Sequence, residues 1–258
     1  PAVSNSDGSI TSTVSADPNY GFSIVSYTGS GSTATVGHGL SAAPKFIIVK
    51  DRSASDSWMV WVTGFTSDEY LYLNGTDAKG SYSGTWGSTP TSSVFGVSDQ
   101  SLNQSGNNFI AYCWSEVAGF SKFDSYTATG SAFAINTGFK PAFVLIKCTN
   151  TAGQEWVIFD SSRNSNNPAD LYLYANYGYS EASYGSRAIN ITDTGFELVG
   201  SDQAVNNSGD TYVYMAFADA KSNPFTPHNL ITEESTASKD NFAATTWTGN
   251  GVNLSVGG

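Results

Sequence analysis

The chain has 258 residues, of which 13% are charged and 40% are hydrophobic, and its formal net charge is −11. This acidic balance disfavours nucleic-acid binding, which needs basic stripes over phosphates. The low charge content also argues against a charge-solubilised cytosolic enzyme. No apolar run approaches 18 residues and no signal peptide is recognisable, so the sequence predicts no membrane insertion.

Residues 1–20 are rich in Ser, Asp, Asn and Gly and show little periodicity. Ile10, Val14 and Tyr20 are compatible with a short strand or a strap on the segment that follows. We interpret residues 1–20 as an N-terminal connector.

The first repeat spans residues 21–118 and consists of short predicted strands separated by Gly/Ser turns. Residues 22–27 alternate between apolar and polar side chains, as a half-buried strand does. Residues 46–49 form a continuous apolar run, typical of a strand that is buried on both faces. No stretch keeps a helical period. Further strands are predicted at residues 34–36, 58–62, 70–73, 94–97 and 109–114.

The second repeat spans residues 119–225 and restates this order 97 or 98 residues later. Trp58 matches Trp156, and Leu71-Tyr72-Leu73 is matched with Leu171-Tyr172-Leu173. Such repetition indicates an array of modules rather than one catalytic domain. The sequence therefore predicts an all-β protein with two tandem β-sandwich modules of jelly-roll or lectin-like type.

A third copy of the pattern opens at Phe242 and Trp247. We interpret residues 226–258 as a linker followed by the start of a truncated third module. On this basis we expect the chain to be a segment of a longer polypeptide or a cleaved product.

Residues that could carry catalysis or bind a metal are few and scattered. His38 and His228 lie in a turn and in a Pro-rich linker, without spaced partners. Cys113 and Cys148 have no cysteine at the matching position of the other repeat; we read Cys113 as a buried free thiol and disfavour a bridge between the two. No Asp-x-Asp-x-Asp-Gly spacing appears. We predict a non-enzymatic protein with no metal site and no cofactor.

Aromatic residues in two Gly/Ser-rich loops are the strongest candidates for contacting a ligand or receptor. The loops occupy corresponding positions in the two repeats and differ in sequence while their flanking strands agree, as recognition loops on a fixed scaffold do. The alternative is that these rings fold back onto the sandwich or pack at a subunit interface. The candidates are Tyr82, Trp86, Tyr177, Tyr179 and Tyr184.

The run from Gly21 to Lys50, with Gly37-His38-Gly39 and Ala43-Pro44-Lys45 inside it, resembles a module of structural proteins from tailed bacteriophages, especially marine ones. The strands Ala111–Trp114 and Tyr212–Ala218 are similar to that family's linking and closing segments. The resemblance implies a virion structural protein, in a tail or fibre component on the particle surface, and carries over no catalytic residue.

The sequence thus predicts a virion appendage protein involved in host attachment. We expect it to form homo-oligomers, often trimers in such proteins, to contact other virion proteins, and to meet a host surface glycan. Exposed edge strands would favour lateral assembly. The alternatives are a glycan-binding or glycan-degrading extracellular protein, in which two carboxylates would share a cleft, and a particle-decorating or filament-forming subunit.

Overall fold

The all-β prediction is confirmed by the computed structural model, which describes residues 2–219. Residues 226–258, predicted to hold a linker and a third module, lie outside the described residues. The first repeat and the residues before it contain one short helix, α1 (Gln100–Asn103), and the following strands: β1 (Val3–Asn5), β2 (Ser12–Asp17), β3 (Phe22–Thr28), β4 (Ala34–Gly37), β5 (Phe46–Asp51), β6 (Met59–Val62), β7 (Glu69–Tyr72), β8 (Gly80–Ser81), β9 (Val94–Val97) and β10 (Asn108–Trp114).

The second repeat contains a single 3-10 turn, at Gly185–Arg187, among its described residues. Its strands are β11 (Ser121–Thr127), β12 (Phe133–Asn136), β13 (Pro141–Cys148), β14 (Val157–Asp160), β15 (Leu171–Tyr174), β16 (Ala182–Ser183), β17 (Ile189–Thr192), β18 (Gly195–Leu198) and β19 (Thr211–Ala218).

Two large antiparallel sheets carry the same order of corresponding strands. The eight-stranded sheet runs β1-β2-β3-β10-β5-β6-β7-β8, and the six-stranded sheet runs β11-β19-β13-β14-β15-β16. Each is accompanied by a small sheet, β4-β9 in the first repeat and β12-β18-β17 in the second. All described residues belong to one compact unit, so the division into two independent modules stays a prediction.

The strand register corrects one detail of the sequence match. Tyr72 lies opposite Met59, and Tyr174 lies opposite Val157. Tyr72 therefore corresponds to Tyr174. The match of the Leu-Tyr-Leu motifs had paired Tyr72 with Tyr172, which is two residues earlier. Two Leu-Tyr dipeptides in succession, at residues 171–174, made the sequence match ambiguous.

Residues 1–20, predicted to be a connector, contribute two strands to the first sheet. Strand β2 pairs along β3 from Thr13 to Asp17, and β1 pairs with β2. Val14 is buried in the core of the first repeat. The segment is therefore better described as a strap on the first repeat than as a connector.

A pair of buried asparagines fixes the same turn in both repeats. Asn103 accepts a hydrogen bond from the backbone N–H of Ser30 over 2.7 Å and donates to the carbonyl of Ser32 over 2.6 Å. Asn206 accepts from the N–H of Gly130 over 3.3 Å and donates to the carbonyl of Ser131 over 3.0 Å. Each asparagine thus replaces backbone pairing where the chain turns between strands.

Successive residues of a strand point to opposite faces of its sheet, and in both large sheets the two faces are apolar. One face, which we call the inner face, packs beneath the small sheet of the same repeat. In the first repeat, the ring centroids of Tyr27 on β3 and Phe95 on β9 lie 6.1 Å apart. The opposite, outer faces of the two sheets pack against each other, where Phe46 lies 6.2 Å from both Phe123 and Trp156.

Each outer face is covered over a different part. We define surface A by Phe46, Val60 and Leu71 of the first repeat and the corresponding Phe143, Ile158 and Leu173 of the second. Surface B consists of Ile24, Trp58 and Tyr112 of the first repeat and the corresponding Phe123, Trp156 and Met215 of the second.

Burial of these two surfaces is exchanged between the repeats. Surface A is fully buried in the first repeat and only half-buried in the second. Surface B is buried in the second repeat, where Phe123 is 1% exposed, whereas the corresponding Ile24 of the first repeat is 36% exposed. The repeats therefore meet head to tail, with surface A of the first repeat packed on surface B of the second. Surface B of the first repeat and surface A of the second remain less covered.

Candidate functional site

Tyr82 and Tyr184 occupy corresponding positions immediately after β8 and β16. The N–H of Tyr82 donates to the carbonyl of Asp68 over 2.9 Å, and that of Tyr184 donates to the carbonyl of Asp170 over 3.3 Å. Both side chains are exposed, Tyr82 by 64% and Tyr184 by 51%. Both predicted residues therefore lie at the surface, as a ligand contact requires.

The prediction that Trp86 contacts a ligand is wrong, because Trp86 is only 1% exposed. Its indole N–H donates to the backbone carbonyl of Glu69 over 3.1 Å. The ring fills the core of the first repeat beneath its own loop. A Gly/Ser-rich sequence around a tryptophan resembles an exposed loop but does not distinguish a ring that turns inwards.

Tyr177 and Tyr179 form a stacked pair at the surface of the second repeat. Their ring centroids are 4.5 Å apart with an interplanar angle of 15°. Both are exposed, Tyr179 by 62%. Tyr179 also meets the edge of Tyr174 on β15, 6.4 Å away. The pair is thus an exposed stack of two rings anchored to the end of a strand.

Tyr174 is held in turn by Arg187, which sequence reasoning missed. The Nη1 of Arg187 donates to the Tyr174 hydroxyl, and its Nε donates to Asp202 over 2.7 Å. Burial alone would lower the pKa of Arg187, but the hydrogen bond and charge of Asp202 raise it above the ordinary value. This arginine stays charged and orders the tyrosine that contacts the stacked pair.

In the first repeat a cavity of about 190 Å3 opens at the matching place. Burial, together with the neighbouring Tyr70 side chain, raises the pKa of the lining residue Tyr72 to about 12, so its hydroxyl stays neutral. Asp99 also lines the cavity and caps α1 by accepting from the N–H of Ser101 over 2.8 Å. The cavity is lined by Met59, Tyr70, Tyr72, Tyr82, Thr85, Asp99 and Ser101.

The alternative of glycoside cleavage needs a pair of carboxylates in a cleft, and the six acidic residues available for it have basic or polar partners. Asp160 pairs with Arg163 over 2.5 Å, and the same arginine reaches Glu181 over 3.1 Å. The Arg163 contacts offset the effect of burial and hold the pKa of Asp160 below its ordinary value. The remaining members are Asp68, Glu69, Glu116 and Glu197, which bond to Gly84, Lys79, Lys122 and Asn190 respectively.

His38 is a buried structural residue. Its Nδ1 accepts from the N–H of Leu40, and its Nε2 lies 3.1 Å from the carbonyl of Thr91, so the neutral ring donates there. Both cysteines are free and buried, Cys113 in the core of the first repeat and Cys148 in that of the second. His228 lies outside the described residues.

Within residues 2–219, no three His, Cys, Asp or Glu side chains gather closely enough to hold a metal ion. None of the helices in that part of the chain has the length and apolar character needed to cross a bilayer.

The chain belongs to a family described as a domain of unknown function (DUF7483), whose model matches residues 1–221. The match takes in both repeats and the two N-terminal strands. No curated protein and no solved structure matches the chain.

Proposed function

We propose that the chain is a non-enzymatic structural protein of a virus particle, in a tail or fibre appendage, and that it contacts a host surface glycan. The stacked, exposed pair Tyr177 and Tyr179 carries the proposal of glycan contact. The flat face of a sugar ring stacks on aromatic faces, and tyrosine supplies large contact area at low entropic cost. The resemblance to tailed-phage structural modules supports the place in the particle.

The contact is tested by glycan-array binding followed by calorimetry on the hits. Tyr177→Ala with Tyr179→Ala should abolish binding without changing the melting temperature, because both rings are exposed. Tyr20→Ala, which removes an exposed tyrosine 48% accessible at another place, is the matched control. Unchanged affinity in the double variant, or no bound glycan at all, would refute the proposed contact.

The place in the particle is tested separately. Antibodies against the chain should label the tail or fibre of purified particles in electron micrographs. Labelling of host cells alone, with no peptide of the chain found in purified particles by mass spectrometry, would contradict the virion assignment.

A second candidate, a filament-forming subunit, is favoured by the exchanged burial of surfaces A and B. Surface B of the first repeat matches the surface that the second repeat buries, and surface A of the second repeat matches the one that the first repeat buries. A second copy of the chain can therefore continue the internal contact head to tail. Contacts of this kind generate open filaments when the rotation does not close.

Sedimentation velocity over a range of protein concentrations checks this candidate. Ile24→Asp places a charge on surface B of the first repeat and should leave the chain monomeric, whereas Tyr20→Ala should not. The Ile24→Asp chain keeps surface A, so small amounts of it should shorten wild-type assemblies. A wild-type protein that is monomeric at all concentrations would exclude the filament.

A further inference from the structure

We propose that the cavity between β7 and α1 in the first repeat binds an organic cation, a guanidinium or alkylammonium group. The second repeat shows what this place accommodates, because its own Arg187 guanidinium fills the corresponding space. The proposal concerns the first repeat alone and does not depend on the glycan contact at Tyr177 and Tyr179.

The walls of the two places correspond residue by residue. Tyr70 lies opposite Gly80 on β8, and Tyr172 lies opposite Ala182 on β16. The next residue on the same face is Tyr72 in the first repeat and Tyr174 in the second. The last wall is an aspartate, Asp99 within Ser98-Asp99-Gln100 and Asp202 within Ser201-Asp202-Gln203.

Thr85 and Arg187 are the residues that differ. The N–H of Thr85 donates to the carbonyl of Tyr82 over 3.1 Å, and the N–H of Arg187 donates to the carbonyl of Tyr184 over 2.9 Å. Since Tyr82 and Tyr184 correspond, threonine stands in the first repeat where arginine stands in the second. The threonine side chain is too short to cross the space that the arginine occupies.

The contacts of Arg187 define a cation site. Its guanidinium carbon lies 4.6 Å from the ring centroid of Tyr172 and 5.5 Å from that of Tyr174. Its Nε and Nη2 donate to the two carboxylate oxygens of Asp202 over 2.7 and 3.2 Å. Aromatic faces attract cations, and a carboxylate adds a directional, charge-assisted bond.

The first repeat keeps the rings and the carboxylate but supplies no cation to them. Among the described residues no lysine or arginine pairs with Asp99. Lys79, immediately before β8, pairs with Glu69 over 2.5 Å and lies over the ring of Phe65. The cavity of about 190 Å3 is bounded by Tyr70, Tyr72 and Tyr82 on its aromatic side. These groups suit a cation supplied by another molecule.

The site is tested by NMR titration of the protein with methylguanidinium chloride and, separately, with choline chloride, at constant ionic strength set with potassium chloride. We expect saturable shifts at Tyr82, Thr85 and Ser101 with a dissociation constant of roughly 0.1–10 mM, the range that a few cation–π contacts and one carboxylate provide. The stronger ligand identifies guanidinium or quaternary ammonium as the preferred group. Shifts that do not saturate with either ligand would overturn the proposal.

Three substitutions make the test specific to the cavity. Thr85→Arg installs the residue of the second repeat and should abolish binding, since its own guanidinium would fill the space. Ser83→Arg adds the same charge on an exposed neighbour and should leave binding intact. Asp99→Asn keeps the cap of α1, because asparagine also caps helices, and should weaken binding at least tenfold. Binding that survives Thr85→Arg would place the cation elsewhere and refute the assignment.

The reverse substitution, in the second repeat, provides an independent test of the proposed site. Arg187→Thr should open the same site in the second repeat and raise the stoichiometry from one to two cations per chain. If that variant does not fold, Thr85→Arg and Asp99→Asn still decide the question in the first repeat.

Discussion

The indole N–H of Trp156 donates a hydrogen bond to the backbone carbonyl of Tyr72 over 2.9 Å, and this bond joins the second repeat to the first. The corresponding Trp58 is half-buried and stacks on Tyr112 at 6.5 Å. Two tryptophans that the sequence repeat equates thus have different roles, one between the repeats and one at the surface.

Replacing Trp156 by phenylalanine should destabilise the protein more than the same change at Trp58. The first change removes a part-buried hydrogen bond, at a cost of about 0.5–1.5 kcal/mol, although the Tyr72 carbonyl keeps its bond from the N–H of Gly75 over 3.3 Å. Urea unfolding of both variants gives the two free energies. Equal losses would show that the Trp156 bond contributes nothing specific.

Protonation of His38 should destabilise the fold at acid pH. Burial lowers the pKa of His38 below the ordinary 6.5, only partly offset by its hydrogen bond to Thr91. The unfolded state then binds more protons, so the contribution is fully present above pH 6.5 and is lost as pH falls towards the folded-state pKa. His38→Thr, which copies Thr137 of the second repeat, should remove this slope. The measurement is the difference in unfolding free energy between wild type and variant from pH 5 to 8; a constant difference would contradict it.

Lys147 should make the free energy of unfolding depend on pH in the alkaline range. The side chain is fully buried, its Nζ donates to the carbonyl of Gln154 over 2.7 Å, and burial lowers its pKa from 10.5 to about 8. Between those values the unfolded state holds a proton that the folded state lacks, so raising pH through this window stabilises the protein. Lys147→Met should abolish that gain, as followed by urea unfolding between pH 7 and 10. Lys50→Met removes the corresponding, half-buried lysine of the first repeat and controls for the loss of a lysine.

Asn103→Ala and Asn206→Ala should each cost about 1–3 kcal/mol, because each removes at least two part-buried hydrogen bonds to backbone groups of a turn. Similar losses are expected because the two asparagines bond to corresponding turns. Thermal unfolding of the two single variants provides the comparison. A neutral effect at either position would mean that water replaces the amide there.

Cys113 and Cys148 should resist alkylation in the native protein. Both are buried, and burial raises the pKa of the Cys113 thiol, which reduces the reactive thiolate. Mass spectrometry after iodoacetamide should find no modification at either cysteine without denaturant and two modifications in urea. Fast native modification would show that the strands carrying them open readily.

Strands buried on both faces could be predicted from the sequence, whereas the position of single side chains could not. The continuous apolar run of β5 predicts a strand buried on both faces, because hydrophobic side chains on both sides of a strand must be covered by other parts of the protein. The polar strand β2 places only Val14 deep in the core, so its alternation was too weak to recognise. Trp86 turns inwards from a Gly/Ser-rich loop, and loop composition carries no information on ring direction.

The relation between Thr85 and Arg187 was present in the sequence but hidden by the loop lengths. Fifteen residues separate Arg187 from Asp202, and fourteen separate Thr85 from Asp99. The hydrogen bonds to Tyr82 and Tyr184 match Thr85 with Arg187, whereas the N–H groups of Asp99 and Asp202 donate to the carbonyls of Thr85 and Ser186, one position earlier in the second repeat. An alignment anchored on Asp99 and Asp202 and on the tyrosines of β7 and β15 would have revealed the exchange.

Because the outer faces of the two repeats pack against each other, the sequence repeat is smaller than the unit that buries a complete core. If the chain were cut after residue 118, the first fragment would expose surface A of the first repeat to solvent. The second fragment would expose Phe123 and Trp156. Neither fragment would hide the area that the intact pair hides, so a rearrangement that moves one repeat to another gene transfers an unfinished protein.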